Sequence, residues 1–278
     1  MLRDLADLRG EALIARVLAL VDQYRPLHLS IVGGEPLVRH GEVSALLPQL
    51  ARRKIEVQIV TSAVRPIPPE WDTASQLVVS IDGLREQHDA RRAPATYDRI
   101  LRHIEGRQII VHCTITRQML RRDMDLREFS EFWSARPEVR RVWFSLYTPQ
   151  AAECSAERLL PGDRERAVAE LTRLRKLFPK LHMPDVVLRG YLEPPQSPEA
   201  CLFARATQCL SADLATPITP CQFGGNPVCS ECGCMASAGL ASVANYRIAG
   251  LIQIGAIFDL SRKWGRFMGA GSPRVTAV

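Results

Sequence analysis

Short apolar segments alternate with amphipathic ones along the first 178 residues, and this alternation constrains the fold more than any other feature of the chain. Leu5, Leu8, Ile14, Val17, Leu18 and Val21 recur at helical spacing and predict a helix over 5–21. His28 to Val32 reads as a short apolar strand running into Gly33-Gly34-Glu35-Pro36, and Val43, Leu46, Leu47 and Leu50 mark a second helix. Strands are predicted over 55–61, 77–81, 108–115 and 141–146, with helices over 97–105 and 126–133. Pro161-Gly162-Asp163 then opens a helix with Val168, Leu171, Leu174 and Leu177 on one face. This order predicts an α/β fold, a parallel sheet covered by crossover helices. Periodicity leaves open whether the sheet closes into a barrel. A helix comes first with no strand ahead of it. A crossover helix joins two strands, so either a strand is missing upstream or this is a simple N-terminal helix packed on the sheet.

At 278 residues the chain can form one large domain, or one plus a smaller one. From about residue 184 the periodicity fades, and Pro184, Pro194, Pro195, Pro198, Pro217, Pro220 and Pro227 punctuate the chain. The expected division is an α/β unit over 1–183 and a loop-rich, Cys-rich region over 184–278. The net charge of +6 comes from scattered arginines without interleaved aromatics, which argues against a nucleic-acid groove. Asp4, Asp7 and Glu11 interrupt the N-terminal apolar positions, unlike a signal peptide, and Asn245, Arg247 and Asp259 break the apolar stretch 236–260, so no membrane span is expected. A cytoplasmic location follows by default.

Two motifs stand at strand ends, where parallel α/β folds bind ligands. In Gly33-Gly34-Glu35-Pro36 the glycines let backbone approach a ligand and the Glu can receive an ammonium, although a tight turn explains the tetrapeptide as well. In Ser80-Ile81-Asp82-Gly83, followed by His88-Asp89 and Arg91-Arg92, Ser80 and Asp82 suit a ribose hydroxyl or simply a polar turn.

Taken in order, these motifs resemble the radical S-adenosylmethionine (SAM) enzymes over roughly residues 1–150. The resemblance implies a partial (β/α)6, TIM-like barrel whose second to sixth strands are those above and whose first strand is missing. It implies that Gly33, Gly34, Glu35 and Pro36 hold the amino group of SAM, and that Ser62, Ser80 and Asp82 lie near its ribose and carboxylate. Thr116 and Arg117 would border the same pocket, with Tyr147 by the adenine. The family's Cys-x3-Cys-x2-Cys motif holds the [4Fe–4S] cluster at which SAM is cleaved to a 5′-deoxyadenosyl radical. No cysteine precedes Gly33 here. A misplaced start or a truncation accounts for both this and the missing strand; a degenerate family member is the alternative. The chain as given is expected not to cleave SAM reductively. The resemblance also implies an electron donor such as flavodoxin or ferredoxin, and a substrate that is a peptide, a lipid or a small metabolite.

Eight cysteines without an export signal argue against a disulfide framework. Five crowd together as Cys209, Cys221, Cys229, Cys232 and Cys234. Cys-x2-Cys spacing lets two thiolates face one metal, and Gly233 lets the backbone fold tightly around it. Zinc and an iron–sulfur cluster both fit such a set, as do redox-idle thiols. The resemblance reads the segment as a SPASM or twitch-type extension with an auxiliary [4Fe–4S] cluster, although Cys-x2-Cys-x-Cys departs from the usual spacing. Cys201 is a further candidate, while Cys113 and Cys154 read as structural. His103, His112 and His182 show no metal-ligand spacing. A non-enzymatic, metal-stabilised binding module is the competing class of function.

Overall fold

The computed structural model describes residues 7–122, 124–245, 247–248, 252–253 and 275–277, with side chains as far as residue 241. Leu5, and residues 246, 249–251 and 254–260 of the apolar stretch 236–260, therefore lie outside what is described. The elements in order are α1 (Gly10–Tyr24), β1 (His28–Ile31), α2 (His40–Arg52), β2 (Glu56–Thr61), the one-turn α3 (Trp71–Ala74), β3 (Gln76–Ser80), α4 (Arg85–Arg92), α5 (Tyr97–His103), β4 (Ile109–Ile115), α6 (Asp125–Ser134) and β5 (Val139–Leu146). After these come α7 (Asp163–Leu177), α8 (Asp185–Leu192), α9 (Leu202–Ala206), β6 (Thr207–Cys209), α10 (Met235–Asn245), the antiparallel pair β7 (Arg247–Ile248) and β8 (Ile252–Gln253), and β9 (Val275–Ala277). No helix among the described residues is long and apolar enough to cross a membrane.

Strands β1 to β5 lie side by side in chain order and all run parallel. Each strand passes to the next through one or more helices, so the α/β fold with a parallel sheet expected from the alternation is present. Beyond β1 the sheet continues with β9 and then β6, again parallel. On the side away from β2, β1 thus has residues 275–277, far along the chain, as its neighbour.

The two faces of this sheet differ. Leu29, Val57, Ile59, Leu77, Val79, Ile109, Val111, Cys113, Val142, Phe144 and Leu146 share one face by register and are all buried. Helices cover that face: α2 lays Val43, Leu46, Leu47 and Leu50 against it, the four positions expected. Full burial of such side chains stabilises by roughly 2 kcal/mol each, so the fold is held from this side. The alternate positions carry Ser30, Gln58, Ser80, His112, Thr114 and Ser145 together with Val60, Val78, Ile110 and Trp143, so period-2 alternation puts a mixed, partly polar set on the opposite face. Ser30 Oγ donates to Gln58 Oε1 (3.1 Å), and His112 Nε2 pairs with Ser145 Oγ (2.8 Å). A parallel sheet packed by helices on one face, with polar side chains concentrated on the other, has the layout of part of an α/β barrel.

Several elements were not expected. Helix α4, Arg-Glu-Gln-His-Asp-Ala-Arg-Arg, has no large apolar residue, so it shows no hydrophobic period; its buried side chain is His88. Helix α8 buries Val187, Leu188 and Tyr191 but sits among prolines that mask its period. Leu177, expected on the buried face of α7, is 52% exposed because the helix ends there and Phe178 turns extended.

Candidate functional site

Because the strands are parallel and adjacent, their C-terminal ends form one rim. All ten residues expected around SAM lie along it: Gly33 to Pro36 after β1, Ser62 after β2, Ser80 and Asp82 at and beyond the end of β3, Thr116 and Arg117 after β4, and Tyr147 after β5.

Gly34 adopts a left-handed backbone (φ +57°), which favours glycine. No atom lies within 4 Å of where a Cβ would stand on Gly33 or Gly34, so the turn faces open space. Glu35 is turned back onto β2. Its Oε1 accepts from Leu37 N (3.0 Å) and Thr61 Oγ1 (2.5 Å), and its Oε2 from Ser62 N (2.8 Å) and Ser62 Oγ. Both oxygens are thus occupied, and Glu35 braces the turn where a direct grip on an ammonium was expected. The exposed backbone of Gly33 and Gly34 is the surface left for a ligand.

At the end of β3 the His-Asp pair proves to be a latch. His88 is fully buried; its Nδ1 accepts from Asp82 N (2.9 Å), which puts the ring proton on Nε2, donated to Ala95 O (2.8 Å). Asp89 accepts from Tyr97 N (2.7 Å), and Tyr97 OH donates to Gly83 O (2.6 Å) while accepting from Trp133 Nε1 (3.1 Å). The rim is so tied to the aromatic core. Asp82 forms a two-point pair with Arg92 (2.6 and 3.3 Å), and Arg91 approaches it at 3.5 Å. Burial opposes the Asp82 charge, but Arg92, then Arg91, holds its carboxyl below the ordinary value. Arg92 also feels Glu35, so it stands between the acids of two strand ends. It is a rim residue not singled out from the sequence, although Arg91-Arg92 closes the motif there. Further along, Arg91 pairs with Glu157, Arg117 N donates to Glu157 O (3.0 Å), Thr116 is buried, and Tyr147 OH donates to Glu153.

Burial holds His112 down to about 4, and lowers His88 likewise. Between that value and the ordinary histidine value of about 6.5, the unfolded chain binds protons that the folded chain does not. Stability from these rings is complete above about 6.5 and is lost as pH falls toward 4. Urea unfolding midpoints are therefore expected to fall from pH 7 to pH 5, with a shallower fall in His112→Gln; an unchanged slope in that variant would contradict the assignment.

The second site lies at the end of β5. Cys201, Cys221, Cys229, Cys232 and Cys234 line one cavity, with an empty volume of about 370 Å³ including its mouth. Cys209, expected among them, is outside that lining: β6 carries it into the sheet beside β9, where it is buried. Cys113 is buried in β4 and Cys154 exposed in a loop. The Cys232-Gly233-Cys234 backbone is joined to the sheet end through Leu146 N to Gly233 O and Gly233 N to Thr148 Oγ1, both 2.9 Å. Sulfur atoms here accept hydrogen bonds: Cys234 Sγ from Gln222 Nε2 (3.1 Å) and Ser237 N (3.4 Å), Cys232 Sγ from Cys234 N (3.5 Å). Arg164 reaches beneath the loop to the carbonyls of Tyr191 (2.6 Å), Glu231 (2.6 Å) and Cys232 (3.0 Å), placing positive charge by the thiols. Burial, then the neighbouring Cys232, pushes Cys221 up to about 11 and Cys234 up to about 12. Both are thiols at neutral pH until a metal displaces their protons.

Among the described residues, no three His, Cys, Asp or Glu side chains converge closely enough to hold one metal ion.

No protein-family model matches the chain, and no curated protein does. Among solved structures, SuiB of Streptococcus suis bound to S-adenosylmethionine is similar over 62% of this chain and 39% of its own, at 18% identity and a TM-score of 0.43. SuiB bound to its precursor peptide SuiA is similar at 18% identity and a TM-score of 0.43, over 59% and 38%. TYW1 with a lysine–pyruvate adduct is similar at 15% identity and a TM-score of 0.42, over 59% of this chain and 57% of its own. The chain thus spans about two fifths of the length of SuiB.

Proposed function

We propose that this chain is a radical SAM-type protein, which holds SAM along the strand-end rim and an auxiliary [4Fe–4S] cluster in the cysteine cavity. The observation that carries this reading is the rim itself. Five consecutive parallel strands end together, with Gly33-Gly34 facing open space, Glu35 clamped to Thr61 and Ser62, and Asp82 held by Arg92 two strands away. Such a rim offers backbone to an amino group, and charged and hydroxyl partners to a carboxylate and a ribose. In this class of protein, reduction of SAM at a site-differentiated cluster supplies a 5′-deoxyadenosyl radical. None of the eight cysteines precedes β1, the place in the family's order where the cluster-holding triad stands. The chain alone is therefore proposed to bind SAM without cleaving it. An electron donor of the flavodoxin or ferredoxin kind would serve the auxiliary cluster.

Anaerobic reconstitution with iron and sulfide, followed by metal and sulfide analysis and an assay for 5′-deoxyadenosine, tests this. The expected outcome is about four iron and four sulfide per chain, SAM binding by calorimetry, and no deoxyadenosine. One zinc without sulfide would favour a metal-stabilised binding module, and substantial deoxyadenosine would overturn the reading of the rim. Cys209→Ser is expected to retain the iron and the brown chromophore, whereas Cys232→Ser and Cys201→Ser lower both. Equal losses in Cys209→Ser and Cys232→Ser would remove the basis for choosing the cavity thiols.

A further inference from the structure

Away from both sites, the turn after β2 and the helix α5 enclose a groove lined by Val64, Arg65, Pro66, Pro94, Arg99 and His103, with an empty volume of about 690 Å³ open to solvent. No carboxylate lines it. Arg99 and His103 stand one helical turn apart on α5, and Arg65 faces them from the turn. The guanidinium groups of Arg65 and Arg99 have no hydrogen-bond or ion-pair partner among the described residues. The acids next to them in the chain are engaged elsewhere: Asp98 pairs with Arg85 (2.5 Å), Glu70 accepts from Ser44 Oγ (2.8 Å) and Asp72 pairs with Arg107 (2.9 Å). The His103 ring is fixed: Nδ1 lies 2.7 Å from Ala63 O. A carbonyl only accepts, so Nδ1 carries the proton and Nε2 is left for the groove. Two guanidinium cations on one groove with no acid lining it repel one another, and a bound anion offsets that cost.

We propose that this groove binds a phosphate-type oxyanion. Guanidinium forks match phosphate oxygens by paired hydrogen bonds, so a tetrahedral anion can offer oxygens to Arg65 and to Arg99 while a P–OH of the same group donates to the accepting Nε2 of His103. Val64, Pro66 and Pro94 give the groove a stiff apolar wall that suits the ester side of a phosphomonoester. The groove is joined to the rim through Ala63, whose carbonyl holds His103 and whose neighbour Ser62 binds Glu35. A phosphoryl group seated here would lie beside the strand ends, where a larger ligand could carry it. The same chemistry arises from free phosphate or from a phosphoryl group on such a ligand.

Calorimetric titration of the full chain with inorganic phosphate, and separately with phenyl phosphate, at low ionic strength tests the proposal. Saturable binding of phosphate is expected, weakened about fivefold or more in Arg65→Gln and in Arg99→Gln. Both variants should melt, without phosphate, no lower than the parent, because each removes a repelling charge; this separates loss of a ligand contact from loss of fold. Tighter binding of phenyl phosphate assigns the site to a ligand-borne phosphoryl group, and equal binding assigns it to the free ion; both support the proposal. Heats reproduced by sodium chloride at matched ionic strength, acetate binding as tightly as phosphate, or unchanged affinity in both variants would overturn it. None of these readouts depends on SAM or on iron, so failure here leaves the proposed function standing, and the reverse.

Discussion

Gly233→Ala is expected to lower the melting temperature by roughly 6–12 °C and to strip most of the iron from the reconstituted chain, an effect of about 3 kcal/mol from a single methyl group. The reason is distance. A Cβ at Gly233 would stand 2.1 Å from Leu146 O and 2.4 Å from Leu146 C and Cβ, all of them at the fixed end of β5. Backbone cannot swing aside as a flexible side chain can. The loop must lift off, and with it go the Leu146–Gly233 and Gly233–Thr148 hydrogen bonds that seat Cys232 and Cys234. Differential scanning calorimetry of the apo chain reads the fold, and iron content after reconstitution reads the site. A variant that melts with the parent and holds full iron would show that the loop is not seated on β5. Glycine here reports a close approach, since no positive φ accompanies it.

Glu35→Ala is expected to cost about 3 kcal/mol and to weaken SAM binding by about tenfold or more. Four donors lose their acceptor, among them the hydroxyl of Thr61, a residue only 2% exposed, and an unsatisfied buried donor costs more than the hydrogen bond it made. The carboxylate also links the turn after β1 to the end of β2, so its removal frees Gly33 and Gly34 from the geometry that faces the ligand. Glu35→Gln keeps one acceptor oxygen and should fall between the two. Chemical denaturation and calorimetry with SAM check both halves. If affinity fell while stability held, the carboxylate would touch SAM directly, and its role as a brace would be wrong.

Strands were legible because their apolar runs are bounded by glycine, proline and charge: β2 and β3 begin and end within a residue of the expected positions. The buried stripe of α2 matched residue for residue. What escaped was structure made without hydrophobic period. Helix α4 is held by His88 and by the Asp82–Arg92 pair, polar contacts that no periodicity announces. The cysteines show a related limit. Spacing along the chain placed Cys209 with the others and left Cys201 in doubt, whereas the cavity takes Cys201, at the start of α9, and β6 turns Cys209 into the sheet. Chain distance says which thiols are near in sequence; only the path of the backbone says which share a space. The bracing of Glu35 was not legible either, because its partners Thr61 and Ser62 lie one strand away.

The unequal faces of the sheet carry a consequence for how such a protein can change. The apolar series from Leu29 through Leu146 points toward the helices, and Ser30, Gln58, Ser80 and Thr114 point the other way. Exchanges at the polar positions Ser30, Gln58, Ser80 and Thr114 leave that packed layer untouched, so these inner side chains can be tried against a different molecule while the scaffold stays intact. Evolution of specificity and retention of the fold are thereby assigned to alternate residues of the same strands.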